Sequence, residues 1–247
     1  MRLEMVTIPS GSVELAGLRY LPEERLRPTA LLYAHGFTAG KYSLDSLAGY
    51  LAGRGYAGLT FDFVGHKLGG SGGEMRRAQD VAVNLRDALT WLRHHSDAEK
   101  IVLIGHSMGA AAALQVAAWE RERPAHAEAQ RVAGVVCICL GTEPSRGFET
   151  AIGKTMLAQR SDYVVGAPAR QLLQEVDTMA LAAEEIGSLP ALFIAARQDA
   201  LISLAHVEEL AELAEQPASV AVVDSSHLEA PDRSRGTIVQ WLEKQGF

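Results

Sequence analysis

Cysteine is scarce in this sequence. Cys137 and Cys139 are the only two cysteines among 247 residues, which is too few for a disulfide framework or a cysteine-rich zinc site. They alternate within an apolar run, and residues i and i+2 of a strand point to the same face. We therefore predict that both thiols are small core side chains on one strand face, in a protein of a reducing compartment.

Basic charge is also in short supply. The chain has 23 Lys and Arg against 30 Asp and Glu, a formal net charge of −7. Nucleic acids and anionic lipids bind clustered Lys and Arg, and the basic residues here are scattered. We expect no nucleic-acid partner and no membrane partner. Residues 1–6 lack the apolar stretch of a signal peptide, so we expect a cytoplasmic protein.

Long apolar runs are missing as well, apart from one window. Residues 101–119 are almost entirely apolar, but Gly105-His106-Ser107 stands in the middle of them. A polar turn there divides the window into a short strand and a helix, and each is too short to span a bilayer. The window therefore predicts a strand at 101–104 and a helix from about 108 to 120.

Strand-like apolar runs alternate with helical patterns along the chain. This alternation is typical of βαβ units around a mainly parallel sheet, so we predict the α/β class. Ser43 is a candidate N-cap for the helix that follows the third strand, and residues 231–245 predict one final helix. The eight predicted strands, of which the first two form an antiparallel edge hairpin, are 3–8, 13–20, 29–34, 57–61, 101–104, 132–140, 191–195 and 219–223.

One segment does not fit the alternation. Residues 141–189 contain helical patches at 150–159 and 168–185 but no strand signal, and this is long for a plain crossover. The sequence has no internal repeat and no low-complexity linker. We therefore predict one domain over residues 1–247, with 141–189 as a cap-like insertion between strands 6 and 7.

The pattern Gly-x-Ser-x-Gly occurs twice, around Ser71 and around Ser107. A serine nucleophile in this motif requires a sharp turn from a strand into a helix. Ser107 follows the buried strand 101–104 and precedes an Ala-rich helix, whereas Ser71 stands among glycines without a strand before it. We predict a nucleophile at Ser107 and a mobile loop at Ser71. The alternative for Ser107 is a helix-capping serine.

The motif Gly105-His106-Ser107-Met108-Gly109, placed after the fifth strand, resembles that of the α/β-hydrolase family. The resemblance covers nearly the whole chain and is strongest to serine esterases, in the branch of small bacterial carboxylesterases and serine aminopeptidases. It implies a mostly parallel eight-stranded sheet flanked by helices, with a small helical cap. It also implies a nucleophile, an acid and a histidine after strands five, seven and eight, where this sequence has Ser107, Asp199 and His227.

By this resemblance Ser107 is the nucleophile, His227 is the general base and then the general acid, and Asp199 orients the imidazole. Two other carboxylates remain open for the acid: Glu143, which follows strand six, and Asp224, which is close to His227 in sequence. The rival histidines are weaker because they lie on helical or connecting segments: His94, His95, His126 and His206.

The oxyanion of acyl transfer requires two backbone donors. The resemblance assigns one to the amide of Met108, after the nucleophile. It assigns the other to the loop after the third strand, His35-Gly36-Phe37-Thr38, where we select Phe37 with Thr38 in reserve. His35 is then a structural residue that holds this loop.

The segment Asp62-Phe63-Val64-Gly65-His66 resembles the family's Asp-x-x-Gly-His loop. The family usually continues with Gly-x-Ser, whereas this sequence has a longer glycine-rich stretch, which predicts a lengthened loop. We interpret Asp62 and His66 as scaffolding of that loop.

A serine at the elbow favours acyl transfer to water. We predict a serine carboxylester hydrolase for small to medium acyl esters, including aryl or hydroxycinnamate esters, with a small-molecule ester as its partner and neither cofactor nor metal. The sequence leaves a homodimer open. The alternatives are a non-catalytic binding protein of the same fold and an aminopeptidase-like amide hydrolase. The latter would hold a substrate amine with acids of the insertion: Glu143, Glu149, Asp162, Glu175 and Asp177.

Overall fold

Eight strands form one sheet at the centre of the computed structural model, which describes residues 1–24, 26–122, 130–214 and 218–247. In these ranges the strands are β1 (Arg2–Ser10), β2 (Val13–Leu21), β3 (Thr29–Ala34), β4 (Ala57–Phe61), β5 (Lys100–His106), β6 (Arg131–Ile138), β7 (Ala191–Ala196) and β8 (Ala218–Val223). Their order in the sheet is β1-β2-β4-β3-β5-β6-β7-β8. The pairs β1–β2 and β2–β4 are antiparallel and the other neighbours are parallel. The predicted α/β class and its mostly parallel eight-stranded sheet are confirmed.

Helices cover both faces of this sheet. In the described part of the chain they are α1 (Asp45–Ala52), α2 (Gln79–His94), α3 (Met108–Arg121), α4 (Pro144–Gly147), α5 (Ala151–Arg160), α6 (Ala169–Ala180), α7 (Leu204–Leu213), α8 (Ala230–Arg233) and α9 (Arg235–Lys244). Short 3₁₀ turns occur at Lys41–Leu44, Ser161–Tyr163 and Leu181–Glu185. None of the helices that the structure describes is long and apolar enough to cross a membrane.

Two apolar clusters, one on each face, hold the helices against the sheet. Along β3, Leu32 belongs to the cluster under α2, α3 and α6, whereas its neighbour Leu31 belongs to the cluster under α1 and α9. Successive strand side chains point to opposite faces, and β3 and β7 are buried along their whole length. This double burial explains why these strands read as continuous apolar runs in the sequence.

The two cysteines lie on opposite faces of the sheet, so the prediction of one shared face is wrong. Cys137 belongs to the first cluster and Cys139 to the second. The strand β6 ends at Ile138, and Cys139 has a left-handed φ of 54°. The alternation of a strand therefore stops one residue before Cys139. Both side chains are buried free thiols.

Two predicted helix boundaries are also wrong. Ser43 does not cap α1, because it lies in the 3₁₀ turn before that helix and its hydroxyl donates to the Gly40 carbonyl oxygen at 2.8 Å. The final helix is divided into α8 and α9 at Ser234, whose hydroxyl donates to the Pro231 carbonyl oxygen.

The segment 141–189 divides into two parts. Its second part includes α6, which packs against α3 and contributes Leu172, Val176 and Met179 to the main core. Its first part includes α4 and α5, and α5 buries only Gly153. The part of the insertion that lies over the sheet edge, α4 with α5, is therefore shorter than the whole segment 141–189.

Candidate active site

The turn between β5 and α3 places Ser107 at the carboxyl edge of the sheet. Its φ of 52° and ψ of −120° lie in a region that residues with a side chain rarely adopt. The Ser107 amide donates to the Ile138 carbonyl oxygen at 2.8 Å, and its own carbonyl oxygen accepts from the Ala110 amide at 2.8 Å. The Ser107 side chain makes no capping hydrogen bond with α3, so the capping alternative does not describe this serine.

Glycine is required on both sides of this turn because backbones meet there. A Cβ on Gly109 would lie 2.1 Å from the Ala34 carbonyl oxygen, and a Cβ on Gly105 would lie 2.3 Å from the Gly109 carbonyl oxygen. Such distances are far below any van der Waals contact. The two glycines therefore allow β3, β5 and the first turn of α3 to pack closely enough to form the strained elbow.

Two loops at the same edge bring Asp199 and His227 together. Asp199 follows β7, His227 follows β8, and His227 Nδ1 lies 2.7 Å from Asp199 Oδ2. The other carboxylate oxygen, Oδ1, accepts from the amides of Leu201 and Ile202 at 2.8 and 2.9 Å. The Asp199 side chain is only 1% exposed and that of His227 9%. Both oxygens of Asp199 are therefore held, which orients the imidazole.

The charge state of Asp199 follows from these contacts. Burial alone raises the pKa of a carboxyl group, but the hydrogen bond and charge of His227 and the two backbone amides outweigh it, so the pKa of Asp199 lies below its usual value. Asp199 is therefore a carboxylate at neutral pH.

The two rival carboxylates lie elsewhere. Glu143 is exposed and pairs with Arg146 at 2.8 Å. Asp224 is exposed and accepts from the Gln198 side-chain amide at 3.1 Å. Of the three candidate acids, the structure brings Asp199 to His227.

The rival histidines do not take the place of His227. His94 and His95 are exposed at the end of α2, and the His95 ring stacks on Trp91 with centroids 3.9 Å apart. His206 lies on α7, and His126 lies outside the described residues.

His106 contacts the site although sequence reasoning missed it. Its Nε2 lies 3.0 Å from the His227 carbonyl oxygen, to which it donates, and the two rings are 4.9 Å apart. Burial lowers the pKa of His106 to about 3, so the ring stays neutral. The sequence signal that could have indicated a site residue here was the position of His106 directly before Ser107.

The loop after β3 is anchored by His35. Its Nδ1 donates to the Gly36 carbonyl oxygen at 2.8 Å, and its Nε2 accepts from the Phe63 amide at 3.0 Å. Burial holds the pKa of His35 well below its usual value, so this neutral tautomer persists. Thr38 takes a left-handed φ of 63° in the same loop.

The two predicted oxyanion donors belong to Phe37 and Met108. Met108 is the first residue of α3, where an amide has no partner within the helix. Within the described residues neither amide donates to a protein acceptor. Both amides are therefore available to a ligand.

A cavity opens at this edge of the sheet. An apolar lining with a few polar groups is typical of small-molecule sites. Ser107, His227 and Thr38 supply polar groups to it. The apolar lining comes from the sheet side and from the insertion, which contributes Phe148, Met156 and Leu157. The insertion also contributes the charged side chain of Arg160.

The sequence profile of the alpha/beta hydrolase fold family matches residues 29–155, just over half of the chain. The chain belongs to the alpha/beta hydrolase fold family. The matched residues include the β3 loop and the Ser107 elbow but end before β7 and β8, which precede Asp199 and His227.

Solved structures with this fold align over the whole chain. An esterase from Pyrococcus furiosus aligns with a TM-score of 0.75 and 18% identity over 98% of this chain and 91% of its own. The esterase domain of a Rhodothermus marinus protein aligns with a TM-score of 0.70 and 23% identity over 99% of each chain. Est1E from Butyrivibrio proteoclasticus, solved with ferulic acid, aligns with a TM-score of 0.75 and 15% identity over 97% of this chain and 98% of its own. Identities this low show a shared fold. Among proteins with curated descriptions, none matches this chain.

The second Gly-x-Ser-x-Gly motif of this alpha/beta hydrolase fold protein is fixed in place, contrary to the predicted mobile loop. Ser71 is buried, its hydroxyl donates to the Asp62 carbonyl oxygen at 2.7 Å, and it accepts from the Ala16 amide at 2.9 Å. Both hydrogen-bonding roles of this hydroxyl are used within the protein. Ser71 therefore joins the loop after β4 to β2 and lines no part of the cavity.

A buried ion pair also holds the β4 loop. The Asp62 carboxylate contacts Lys41 Nζ at 2.5 Å and accepts from the amides of Lys41 and Gly70 at 2.6 and 2.7 Å. His66 is buried, its Nδ1 lies 3.1 Å from the Val64 carbonyl oxygen, and burial lowers its pKa to about 4. Asp62 and His66 serve this loop rather than the cavity.

The acids that an aminopeptidase would use do not reach the cavity. Glu175 accepts from the Ala78 amide, and Asp177 accepts from the amide and hydroxyl of Ser145. The other three are exposed residues: Glu143, Glu149 and Asp162. None of the five lines the cavity.

One cluster in the described part of the chain has metal-ligating side chains: His106, Cys139 and His227, whose ligand atoms lie within 4.8 Å of one another. His227 Nδ1 is bonded to Asp199 and His106 Nε2 to a carbonyl oxygen. Burial raises the pKa of the Cys139 thiol well above its usual value, whereas metal binding requires a thiolate. This donor set does not fit a resident metal ion.

Proposed function

We propose that this protein is a serine carboxylester hydrolase in which Ser107, His227 and Asp199 form the catalytic triad. The observation that carries the proposal is the arrangement at one cavity: a serine on a strained elbow and a histidine whose Nδ1 lies 2.7 Å from a buried carboxylate. The alpha/beta hydrolase fold supports hydrolysis as the class of reaction.

In the acylation step, Ser107 Oγ attacks the ester carbonyl carbon while His227 Nε2 accepts the hydroxyl proton. Asp199 holds His227 by Nδ1 and stabilises the imidazolium that forms. The carbonyl oxygen becomes an oxyanion, to which the amides of Phe37 and Met108 donate, and each such donor is worth about 3 kcal/mol of the barrier. The C–O bond then breaks, and His227 returns the proton to the leaving alcohol.

In the second step, water attacks the acyl-enzyme with His227 again as the base. The same amides stabilise the second oxyanion, and Ser107 leaves with the proton from His227. In the structure Ser107 and His227 line one cavity without a direct hydrogen bond between their side chains. Such catalytic hydrogen bonds often tighten only when substrate binds.

The cavity supports small to medium acyl groups. The apolar wall of the cavity suits a short alkyl chain or an aryl group. Ferulic acid occupies the structure of Est1E, which has the same fold, and hydroxycinnamate esters therefore belong in the substrate panel. We propose that residues 141–189 contribute a small cap through α4 and α5.

The aminopeptidase alternative loses its support, since the five acids that would hold a substrate amine lie outside the cavity. The non-catalytic alternative requires a missing triad member, and the chain supplies all three.

A fluorophosphonate probe tests the mechanism directly. We expect stoichiometric labelling, located at Ser107 by mass spectrometry of the digested protein, and an initial burst of p-nitrophenol from p-nitrophenyl acetate or butyrate. Labelling at another residue would contradict the proposal. So would ester hydrolysis by a protein that the probe does not label. Faster turnover of aminoacyl anilides than of esters would favour the amide hydrolase instead.

A further inference from the structure

Among the described residues, one arginine and no lysine line the cavity. Arg160 is the last residue of α5, is half-buried, and lines the cavity together with Phe148, Met156 and Leu157. No carboxylate belongs to the described lining of the cavity. The Asp199 carboxylate lies behind His227 and is paired with it, so an anion beside Arg160 would meet an attractive charge in the cavity wall.

Arg160 differs from its neighbours in the insertion because they are paired. Lys154 and Arg170 contact Glu149 at 3.8 and 3.4 Å, and Arg146 contacts Glu143 at 2.8 Å. In the part of the chain that the structure describes, Arg160 makes no ion pair, no side-chain hydrogen bond and no ring contact. The donors of this half-buried guanidinium are therefore available to a ligand in the cavity.

We propose that Arg160 binds a carboxylate of the ester substrate, so that the preferred substrates are esters that carry a second, anionic group. This inference rests on the proposed ester hydrolase and narrows its substrate class. The planar guanidinium donates two parallel hydrogen bonds to a carboxylate. The apolar side chains that line the same cavity as Arg160 and Ser107 suit the methylene or aryl groups that join the carboxylate to the scissile ester.

A structural role for Arg160 makes a different prediction. A cation in the last turn also interacts favourably with the helix macrodipole. That interaction changes the stability of α5 but does not change the ratio of rates on charged and neutral esters. The selectivity ratio therefore separates the two roles.

The experiment compares matched esters on wild type and variants. On the acyl side, mono-p-nitrophenyl adipate is compared with p-nitrophenyl hexanoate. On the alcohol side, 4-carboxyphenyl butyrate is compared with 4-carbamoylphenyl butyrate. We expect kcat/KM of the wild type to favour the charged member of at least one pair by about 10- to 100-fold, the effect of a charge-assisted hydrogen-bonded pair. The pair that responds shows on which side of the ester the carboxylate lies.

Arg160→Gln should remove this preference mainly through KM of the charged ester, and Arg160→Lys should restore part of it. Lys154→Gln is the matched control: it removes the same charge from the same helix, and Lys154 does not line the cavity. It should keep the wild-type ratio. The preference should weaken as salt is added, because salt screens the attraction between the guanidinium and the carboxylate.

Binding to Ser107→Ala separates this inference from the proposed function. By calorimetry, monomethyl adipate should bind more tightly than methyl hexanoate, and Arg160→Gln in that background should abolish the difference. The Arg160 inference is overturned, and the hydrolase stands, if the ratio of kcat/KM for the charged ester to that for the neutral ester is the same in wild type and Arg160→Gln for both pairs. If no ester is hydrolysed but binding of the anion depends on Arg160, the hydrolase proposal fails and the anion site stands.

Discussion

The two Gly-x-Ser-x-Gly motifs of this chain share one sequence pattern but have opposite environments. Ser71 is buried, and its hydroxyl is satisfied by a carbonyl oxygen and an amide of neighbouring segments. Ser107 lines a cavity, has a left-handed φ of 52°, and has no hydrogen-bond partner for its hydroxyl in the described part of the chain. A hydroxyl used as a structural link is not free to attack a substrate.

The difference originates in the segments around each motif. Before Ser107 stands the buried strand β5, and after it α3 begins, so the turn is forced at the edge of the sheet. Ser71 follows a loop instead, and the buried Asp62–Lys41 ion pair holds that loop. A short motif therefore indicates chemistry only together with the elements that flank it.

Replacement of the two serines should give the largest contrast. We expect Ser107→Ala to lower kcat on p-nitrophenyl butyrate by at least about a thousandfold, because the proposed nucleophile is lost. Ser71→Ala should keep turnover, since Ser71 does not line the cavity. Steady-state rates on both variants check this, with circular dichroism to confirm folding. Equal losses in the two variants would contradict the assignment of the nucleophile.

Asp199, the proposed acid of the triad, should matter almost as much for catalysis. We expect Asp199→Asn to lower kcat by about 10³- to 10⁴-fold, because an amide does not hold the required His227 tautomer. Asp224→Asn is the matched control, since Asp224 is exposed and bonds to Gln198. A larger loss in the control than in Asp199→Asn would move the acid to Asp224.

The glycines of the two motifs should differ in their effect on stability. In Gly109→Ala the new methyl group would lie 2.1 Å from the Ala34 carbonyl oxygen, whereas a Cβ on Gly72 meets nothing within 4 Å. We expect Gly109→Ala to lower the free energy of unfolding by about 3 kcal/mol or more and Gly72→Ala to change it by less than about 0.5 kcal/mol. Urea denaturation measures both. Similar values for the two variants would mean that the elbow relaxes easily.

Ser71 should show its structural role in stability. We expect Ser71→Ala to lower the free energy of unfolding by about 1–3 kcal/mol, because it leaves the Ala16 amide and the Asp62 carbonyl oxygen without their partner. Ser12→Ala is the control, since Ser12 is an exposed turn residue. No difference between the two variants would show that the β4 loop does not depend on Ser71.

Acid should destabilise the protein through two buried neutral histidines, His106 beside Ser107 and His66 in the loop that contains Ser71. The pKa is about 3 for His106 and about 4 for His66, below the ordinary histidine value near 6.5. The folded state therefore resists protonation, and stability that is complete above pH 6.5 falls as pH decreases toward these values, by up to about 1.4 kcal/mol per pH unit for each histidine. Urea denaturation from pH 7 to 5 should show this slope. His66→Gln and His106→Gln should each reduce it, and unchanged slopes would contradict the buried neutral state.

Part of the site followed from local pattern alone. The alternation of apolar strands with helices predicted the sheet, and β3 and β4 have the predicted bounds of 29–34 and 57–61. The elbow at Ser107 followed from the strand before it and the helix after it. Asp199 and His227 were selected through the resemblance to the alpha/beta-hydrolase family, which implies an acid and a histidine after the seventh and eighth strands. Rival acids remained open since sequence distance does not measure contact in space.

The sequence by itself determined the α/β class, the order of the strands along the chain and the residues that follow their ends, because these depend on period, turn chemistry and burial of each segment. Only the tertiary structure decided that Cys139 turns away from the face of Cys137, that Ser71 bonds to Ala16 and Asp62, and that Arg160 lines the cavity. It also decided that Arg160 has no ion-pair partner among the residues that the structure describes. These outcomes depend on which distant groups are available as hydrogen-bond and ion-pair partners. Such partners are set by packing between segments, which no local pattern records.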